Sequence, residues 1–159
     1  MKLSLNHAVL FVSDLERARD FYTDVLDFGV TAEVGPMNAV FLVAPSSDNH
    51  HDLGLFAMGA GAPRPPRGAT GLYHLAWEIA DLDDLAVLRD RLVSAGAFTG
   101  QSHHGVSISL YGADPDGNQF EVMWQVPREA WGDYEKEAVV MPLDLEAELE
   151  RWGKAAPTP

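Results

Sequence analysis

SISLYGADPDGNQFEVMWQ, residues 107–125, reads as strand, turn and strand. Residues 107–112 and 118–124 are β-rich runs, and Asp114, Pro115, Asp116, Gly117 and Asn118 between them are strong turn formers. The second run is mostly apolar, with Phe120, Val122, Met123 and Trp124, and carries one carboxylate in its middle, Glu121. An unpaired carboxylate on a buried strand is expensive, so Glu121 needs an arginine, a proton or a metal.

Upstream of this hairpin the same half of the chain has a helix and two more strands. Residues 72–80 (LYHLAWEIA) read as a strand with His74 inside it. Asp81 caps a helix whose Leu82, Leu85, Leu88 and Leu92 share one face, and Gly96 ends it. Residues 97–101 are a further strand. The first half follows the same plan. Residues 3–12 (LSLNHAVLFV) read as a strand containing His7, and Ser13 with Glu16 forms a capping-box pattern. Leu15, Ala18, Phe21, Tyr22 and Val25 follow at helical spacing, with Gly29 closing the segment. Residues 29–33, 38–44 and 51–57 read as strands, with a turn at 46–49. Residues 59–71, rich in Gly, Pro, Ala and Arg, form the seam between halves.

The two halves align at one offset. His74 follows His7 by 67 residues, Asp81 follows Asp14 by 67, and Gly96 follows Gly29 by 67. The chain is therefore a duplicated βαβββ unit, in which each copy opens on a histidine-bearing strand. The expected fold is α+β, with the two units forming a curved, incomplete barrel, helices outside and a cleft inside. Projecting Glu121 back by 67 lands on Gly54, so the first copy lacks the carboxylate of the second. Asp52, two residues away on the same strand face, is a reserve candidate.

Composition excludes several functions. The chain has 159 residues, enough for one domain with a sizeable core. No apolar run approaches the roughly 18 residues of a membrane span. The N-terminus lacks a signal-peptide pattern and there are no cysteines, which rules out disulfides and thiolate metal sites and fits a cytoplasmic location. The formal net charge of −13 argues against nucleic acid and anionic membranes as partners.

His7 and His74 hold equivalent positions, and pseudo-twofold packing would bring their strands together with Glu121 facing the same point. Two imidazoles and a carboxylate with open positions are the facial triad of non-haem Fe(II) oxygenases. A hydrolytic zinc site uses similar ligands, so the trio alone leaves the metal open.

With these residues in hand, residues 3–126 resemble the vicinal oxygen chelate superfamily, which includes glyoxalases, antibiotic-binding resistance proteins and extradiol dioxygenases. The run His104-Gly105-Val106-Ser107, then Leu110-Tyr111, Asp114-Pro115-Asp116-Gly117-Asn118 and Glu121, resembles its single-module catechol 2,3-dioxygenase-like branch. His50-His51-Asp52-Leu53 and Pro142-Leu143-Asp144-Leu145-Glu146 resemble it too. The resemblance implies His7, His74 and Glu121 as ligands of Fe(II), with Mn, Ni or Zn as alternatives. It implies His104 as second-sphere acid/base, in preference to His103, and Tyr111 as a hydrogen-bonding active-site residue. The implied activity is oxidative cleavage of a small catechol-like aromatic by O2. A glyoxalase-type isomerase or lyase, and a non-enzymatic drug-binding resistance protein, are the alternatives.

Residues 1–126 are thus expected to form one domain, with repeats at about 3–58 and 72–126. Residues 127–159 form a C-terminal extension with a short amphipathic helix around 143–152 and a frayed end at 154–159. A homodimer is expected, because symmetric dimers are the commonest oligomers.

Overall fold

One element order runs twice along the chain. In the computed structural model, which describes residues 1–66 and 68–154, the first run is β1 (Ala8–Val12), α1 (Leu15–Leu26), β2 (Gly29–Val34), β3 (Ala39–Val43) and β4 (Leu53–Ala57). The second is β5 (Leu75–Glu78), α2 (Leu82–Ser94), β6 (Phe98–His103), β7 (Ser107–Ala113) and β8 (Gln119–Gln125), followed by α3 (Leu145–Trp152). Among the described residues there are two four-stranded sheets, ordered β1-β4-β3-β2 and β5-β8-β7-β6. In each, the first strand runs parallel to the last and the others pair antiparallel. The α+β class and the duplicated βαβββ order are those of the sequence reading. The expected frayed end, from 155 onward, lies outside the described residues.

Register makes the duplication quantitative. Val9 pairs with Gly54, and Ala76 pairs with Glu121. Both strands of the second pair lie 67 residues beyond the first (76 − 9 and 121 − 54), so Gly54 is the structural counterpart of Glu121. Both middle hairpins carry an irregularity at the same place, between Val30 and Ala32 and between Phe98 and Gly100.

The chain divides into two compact units. One is Met1–Gly71 with Asp114–Asn118; the other is Leu72–Ala113 with the residues from Gln119 onward. In the first, Ala18, Tyr22 and Leu26 of α1 are buried, as are Val40, Leu42, Leu53 and Leu55 of β3 and β4. In the second, Leu82, Leu85, Leu88 and Leu92 of α2 join Ile108, Leu110, Phe120 and Val122, with Leu145 of α3. Each such fully buried side chain contributes about 2 kcal/mol. The tip of the Phe120 ring fills the space beside its strand partner Gly112, where an added Cβ would stand 2.4 Å from Cζ.

Three local expectations need correction. First, β1 and β5 are shorter than the apolar pattern suggests. Leu3 and Leu5 are exposed, and the ladder starts only where Ala8 N–H donates to Asp52 O, because β4 offers no partner further back. His7 and His74 therefore each sit one residue ahead of their strands. Second, the α1 cap is Asp14, which accepts from Arg17 N–H, rather than a Ser13–Glu16 box. Ser13 is drawn away by Asp116: its backbone N–H donates to Oδ2 at 2.8 Å and its hydroxyl to Oδ1 at 2.5 Å. Third, β4 begins at Leu53 rather than 51, leaving His51 and Asp52 in the preceding turn.

Turn chemistry at Asp114–Asn118 follows expectation. Asp114 Oδ1 accepts from the backbone N–H of Asp116 and Asn118, each at 2.9 Å, and Oδ2 from the Asn118 amide at 2.8 Å. Asp114 also accepts from the buried Tyr22 hydroxyl at 3.3 Å. Burial, then the Asp114 charge, push the Tyr22 phenol well above its usual range.

Candidate functional site

Strand alternation sorts the second sheet into two faces. Ile108, Leu110, Phe120 and Val122 are buried on the helix side. The opposite face carries Ser109 and Tyr111 of β7 with Glu121 and Met123 of β8. Register places Tyr111 directly beside Glu121, Gly100 beyond Tyr111, and Ala76 beyond Glu121. The acid and the phenol are thus flanked by residues with little or no side chain, which leaves room above them.

Four of the five expected site residues form one connected row here. His74 Nε2 lies 3.1 Å from Glu121 Oε2, with the Glu121 side chain 13% exposed. The Tyr111 ring centroid is 6.1 Å from that of His74. The Tyr111 hydroxyl donates to His104 Nε2 at 2.6 Å. Burial, then the Glu121 charge, hold the Tyr111 phenol above its ordinary pKa, so it stays protonated at neutral pH. Ser109 and Ser102 pull more weakly the other way; the fully buried Ser109 hydroxyl faces the phenol without closing a full hydrogen bond. His104 Nδ1 lies 2.8 Å from the Val139 carbonyl. A carbonyl only accepts, so Nδ1 carries the ring proton and Nε2 is the acceptor for Tyr111.

His103 is turned elsewhere. Its Nδ1 accepts from Gly105 N–H at 2.9 Å, and its Nε2 lies 3.6 Å from Glu148 of α3. His104 is the histidine of the row.

The fifth residue, His7, belongs to the first unit and is exposed. Its Nδ1 lies 2.8 Å from Asn6 Oδ1, and its ring lies tilted against that of His51 with centroids 4.7 Å apart, while His51 meets Phe41 at 4.9 Å. Phe41 pairs with Gly54 as Tyr111 pairs with Glu121. A Cβ on Gly54 would touch the Phe41 ring at 3.3 Å and Val9 at 3.4 Å, so the phenyl ring fills the space a carboxylate would need. Asp52, the reserve acid, is spent on its turn: it accepts from Ala44 N–H at 2.8 Å and the Ser47 hydroxyl at 2.9 Å. Among the described residues, no three His, Cys, Asp or Glu side chains are gathered as a metal cluster.

The donors nonetheless suit a divalent cation. An imidazole nitrogen and a carboxylate oxygen converge at His74 and Glu121, a set that borderline metals accept. At His7, Nδ1–H donating to Asn6 leaves Nε2 with a free lone pair, the usual arrangement of a metal-ligating histidine.

Sequence reasoning missed Ser102, Ser109, Asn6 and the Val139 carbonyl. Alternation from Tyr111 leads to Ser109, and cross-strand register leads on to Ser102. No local signal marks Val139, whose contact spans 35 residues of chain.

A family model described as the Glyoxalase/Bleomycin resistance protein/Dioxygenase superfamily matches residues 4–122. Catechol-2,3-dioxygenase of Bacillus subtilis (strain 168) is 31% identical over 153 residues, 94% of this chain and 52% of its own length. Biphenyl-2,3-diol 1,2-dioxygenase 2 of Rhodococcus globerulus is 37% identical over 117 residues, 73% of this chain and 60% of its own. The chain spans about half the length of such relatives. Among solved structures, a glyoxylase/bleomycin resistance protein/dioxygenase domain from Frankia sp. EAN1pec superposes with a TM-score of 0.68 at 26% identity, covering 79% of this chain and 100% of that one. A fosfomycin resistance protein from Listeria monocytogenes superposes with a TM-score of 0.61 at 17% identity, over 82% and 99% of the two chains, a likeness of fold alone.

Proposed function

Because the chain belongs to the glyoxalase/bleomycin resistance protein/dioxygenase superfamily, we propose that it is an Fe(II)-dependent extradiol-type dioxygenase that cleaves a catechol-like aromatic with O2. The observation that carries this reading is the unbroken row His74–Glu121–Tyr111–His104 on one sheet face. His74 and Glu121 are two of the metal ligands, and His7, the repeat counterpart of His74, is the third. Bound there, ferrous iron would supply the electronic link between an electron-rich dihydroxy ring and O2.

The chain's own residues handle the protons. A catechol must shed hydroxyl protons to bind as an anion, and His104 Nε2, whose lone pair faces the Tyr111 hydroxyl, is the acceptor. The same nitrogen returns a proton later in the cycle. Tyr111, kept protonated by burial and by Glu121, directs its one O–H at His104 Nε2, so its oxygen accepts a hydrogen bond from a substrate hydroxyl and passes that proton on to His104. Gly100 and Ala76 leave the ring space to lie over the sheet. Two members of the dioxygenase branch among the relatives are named for catechol and biphenyl-2,3-diol, and a substrate of that class is proposed here as well.

A glyoxalase-type isomerase is disfavoured, because the second carboxylate it resembles is Gly54 here and Phe41 covers the position. The test is anaerobic loading with Fe(II), then a catechol, then air. About one iron per chain is expected to bind, with O2 uptake matched to ring opening. His104→Ala should retain iron and lose rate by roughly 10²–10⁴, while Glu121→Ala should lose the metal. Full iron occupancy in Glu121→Ala, or no O2 uptake across a panel of catechols, would overturn the reading. The proposed homodimer predicts light scattering at about twice 17.3 kDa; the monomer mass would refute it.

A further inference from the structure

The segment that follows β8 passes beside the His104 turn at several points. Its start is pinned where the Trp131 indole N–H donates to Val126 O at 2.6 Å. Beyond it, the Gln101 amide donates to Leu143 O at 3.0 Å. Between these pins, three contacts bracket one histidine. Met141 and His103 form an isolated antiparallel bridge, with N–H to O distances of 3.0 and 2.9 Å. Val139 O accepts from His104 Nδ1 at 2.8 Å. The Tyr134 ring lies on Gly105, close enough that an added Cβ would stand 2.4 Å from its Cγ. Gly105 has φ +78°, a left-handed conformation that turns the chain so that His104 faces Val139 on one side and Tyr111 on the other.

We propose that residues 134–141 are a positioning element that holds His104 in the Nδ1–H tautomer, so that Nε2 is delivered as the proton acceptor beside Tyr111. This rests on the acid/base role assigned to His104 above. An imidazole free in water prefers neither the direction nor the tautomer needed here strongly enough to stay put. The Val139 carbonyl selects the tautomer because it has no proton to give. The bridge to Met141 fixes that carbonyl relative to the His103–His104 backbone. The extension is thereby part of the site's machinery, acting through His104. Val139 is a positioning residue through its main chain, and Gly105 and Tyr134 hold the turn against it.

The test uses the full chain, metal-free and labelled with 15N-histidine, at a pH where His104 is neutral. Its ring resonances are assigned by loss in His104→Gln. The wild type should show one tautomer, with the proton on Nδ1. Met141→Pro removes the N–H that donates to His103 O, and Tyr134→Ala removes the ring over Gly105; each should lower the Nδ1–H population toward an average of the two tautomers. Tyr134→Phe, which keeps the ring, should match the wild type. In iron-loaded protein, the two disruptive variants should lose roughly 10- to 100-fold in kcat with KM nearly unchanged. Met141→Pro is read only with native circular dichroism; should it fail to fold, Tyr134→Ala carries the test. An unchanged Nδ1–H tautomer in the folded variants would overturn the proposal. Absence of dioxygenase turnover in the wild type would refute the functional reading instead, leaving the tautomer measurement intact.

Discussion

Gly105→Ala isolates what this glycine does. Two separate costs are written into its position. The backbone holds φ +78°, where an L-residue with a Cβ is strained by about 1–2 kcal/mol. The new methyl would also stand 2.4, 2.7 and 2.8 Å from Tyr134 Cγ, Cβ and Cδ1. These are ring-root atoms rather than the end of a flexible chain, so the ring and its backbone must move. Overpacking of this kind costs about 1–3 kcal/mol. Together the substitution should destabilise the protein by about 2–5 kcal/mol. Urea denaturation, read by far-ultraviolet circular dichroism, measures it. The two costs separate in a double-mutant cycle with Tyr134→Ala. In that background the ring atoms at 2.4 and 2.8 Å are gone and only the Cβ at 2.7 Å stays, so the cost should fall toward the backbone strain of about 1–2 kcal/mol. A cost that differs by less than about 0.5 kcal/mol between the two backgrounds would show that the Tyr134 ring is not packed on Gly105, and the reasoning would fail.

Asp116 offers a pH-dependent counterpart. Burial would raise its carboxyl, but the two Ser13 hydrogen bonds and the charges of Arg17 and Arg64 outweigh it, so it titrates below the usual carboxylate range. A depressed folded-state value stabilises above the unfolded value of about 3.9 and loses that stability as pH falls through the folded one. Asp116→Ala should therefore cost about 2–3 kcal/mol at neutral pH, with the gap to wild type shrinking below about pH 4; a gap independent of pH in urea titrations would contradict this. Tyr111→Phe removes the hydroxyl that donates to His104 while leaving His74 and Glu121 in place. Iron content should be unchanged and turnover reduced roughly 10- to 100-fold; loss of iron, measured by elemental analysis, would mean the phenol does more than hold His104 and substrate.

Periodicity and spacing carried a good deal of this protein. The offset of 67 read from His7/His74, Asp14/Asp81 and Gly29/Gly96 reappears as strand register, Val9 with Gly54 and Ala76 with Glu121. That agreement arises because parallel pairing of first and last strands copies a sequence offset directly into space. Element ends were less legible. Residues 3–7 alternate like a strand, yet a strand exists only where a neighbour supplies its hydrogen bonds, and β4 supplies none before Ala8. Ser13 reads as a helix cap from its own neighbourhood, while its hydroxyl is claimed by an aspartate 103 residues away.

The same division runs through the candidate site. Sequence alone singled out Glu121 as an acid in need of a partner, His74 and His7 as repeat counterparts, and Gly54 as the asymmetric position, because each depends on residue type and spacing. Tertiary structure decided that Glu121 meets His74 at 3.1 Å, that Tyr111 rather than a solvent molecule occupies His104 Nε2, and that His103 turns toward α3. Only tertiary structure could decide which ring nitrogen of His104 bears the proton. That choice is made by a main-chain carbonyl, and every residue type carries the same one, so no reading of side chains along the sequence could have found it.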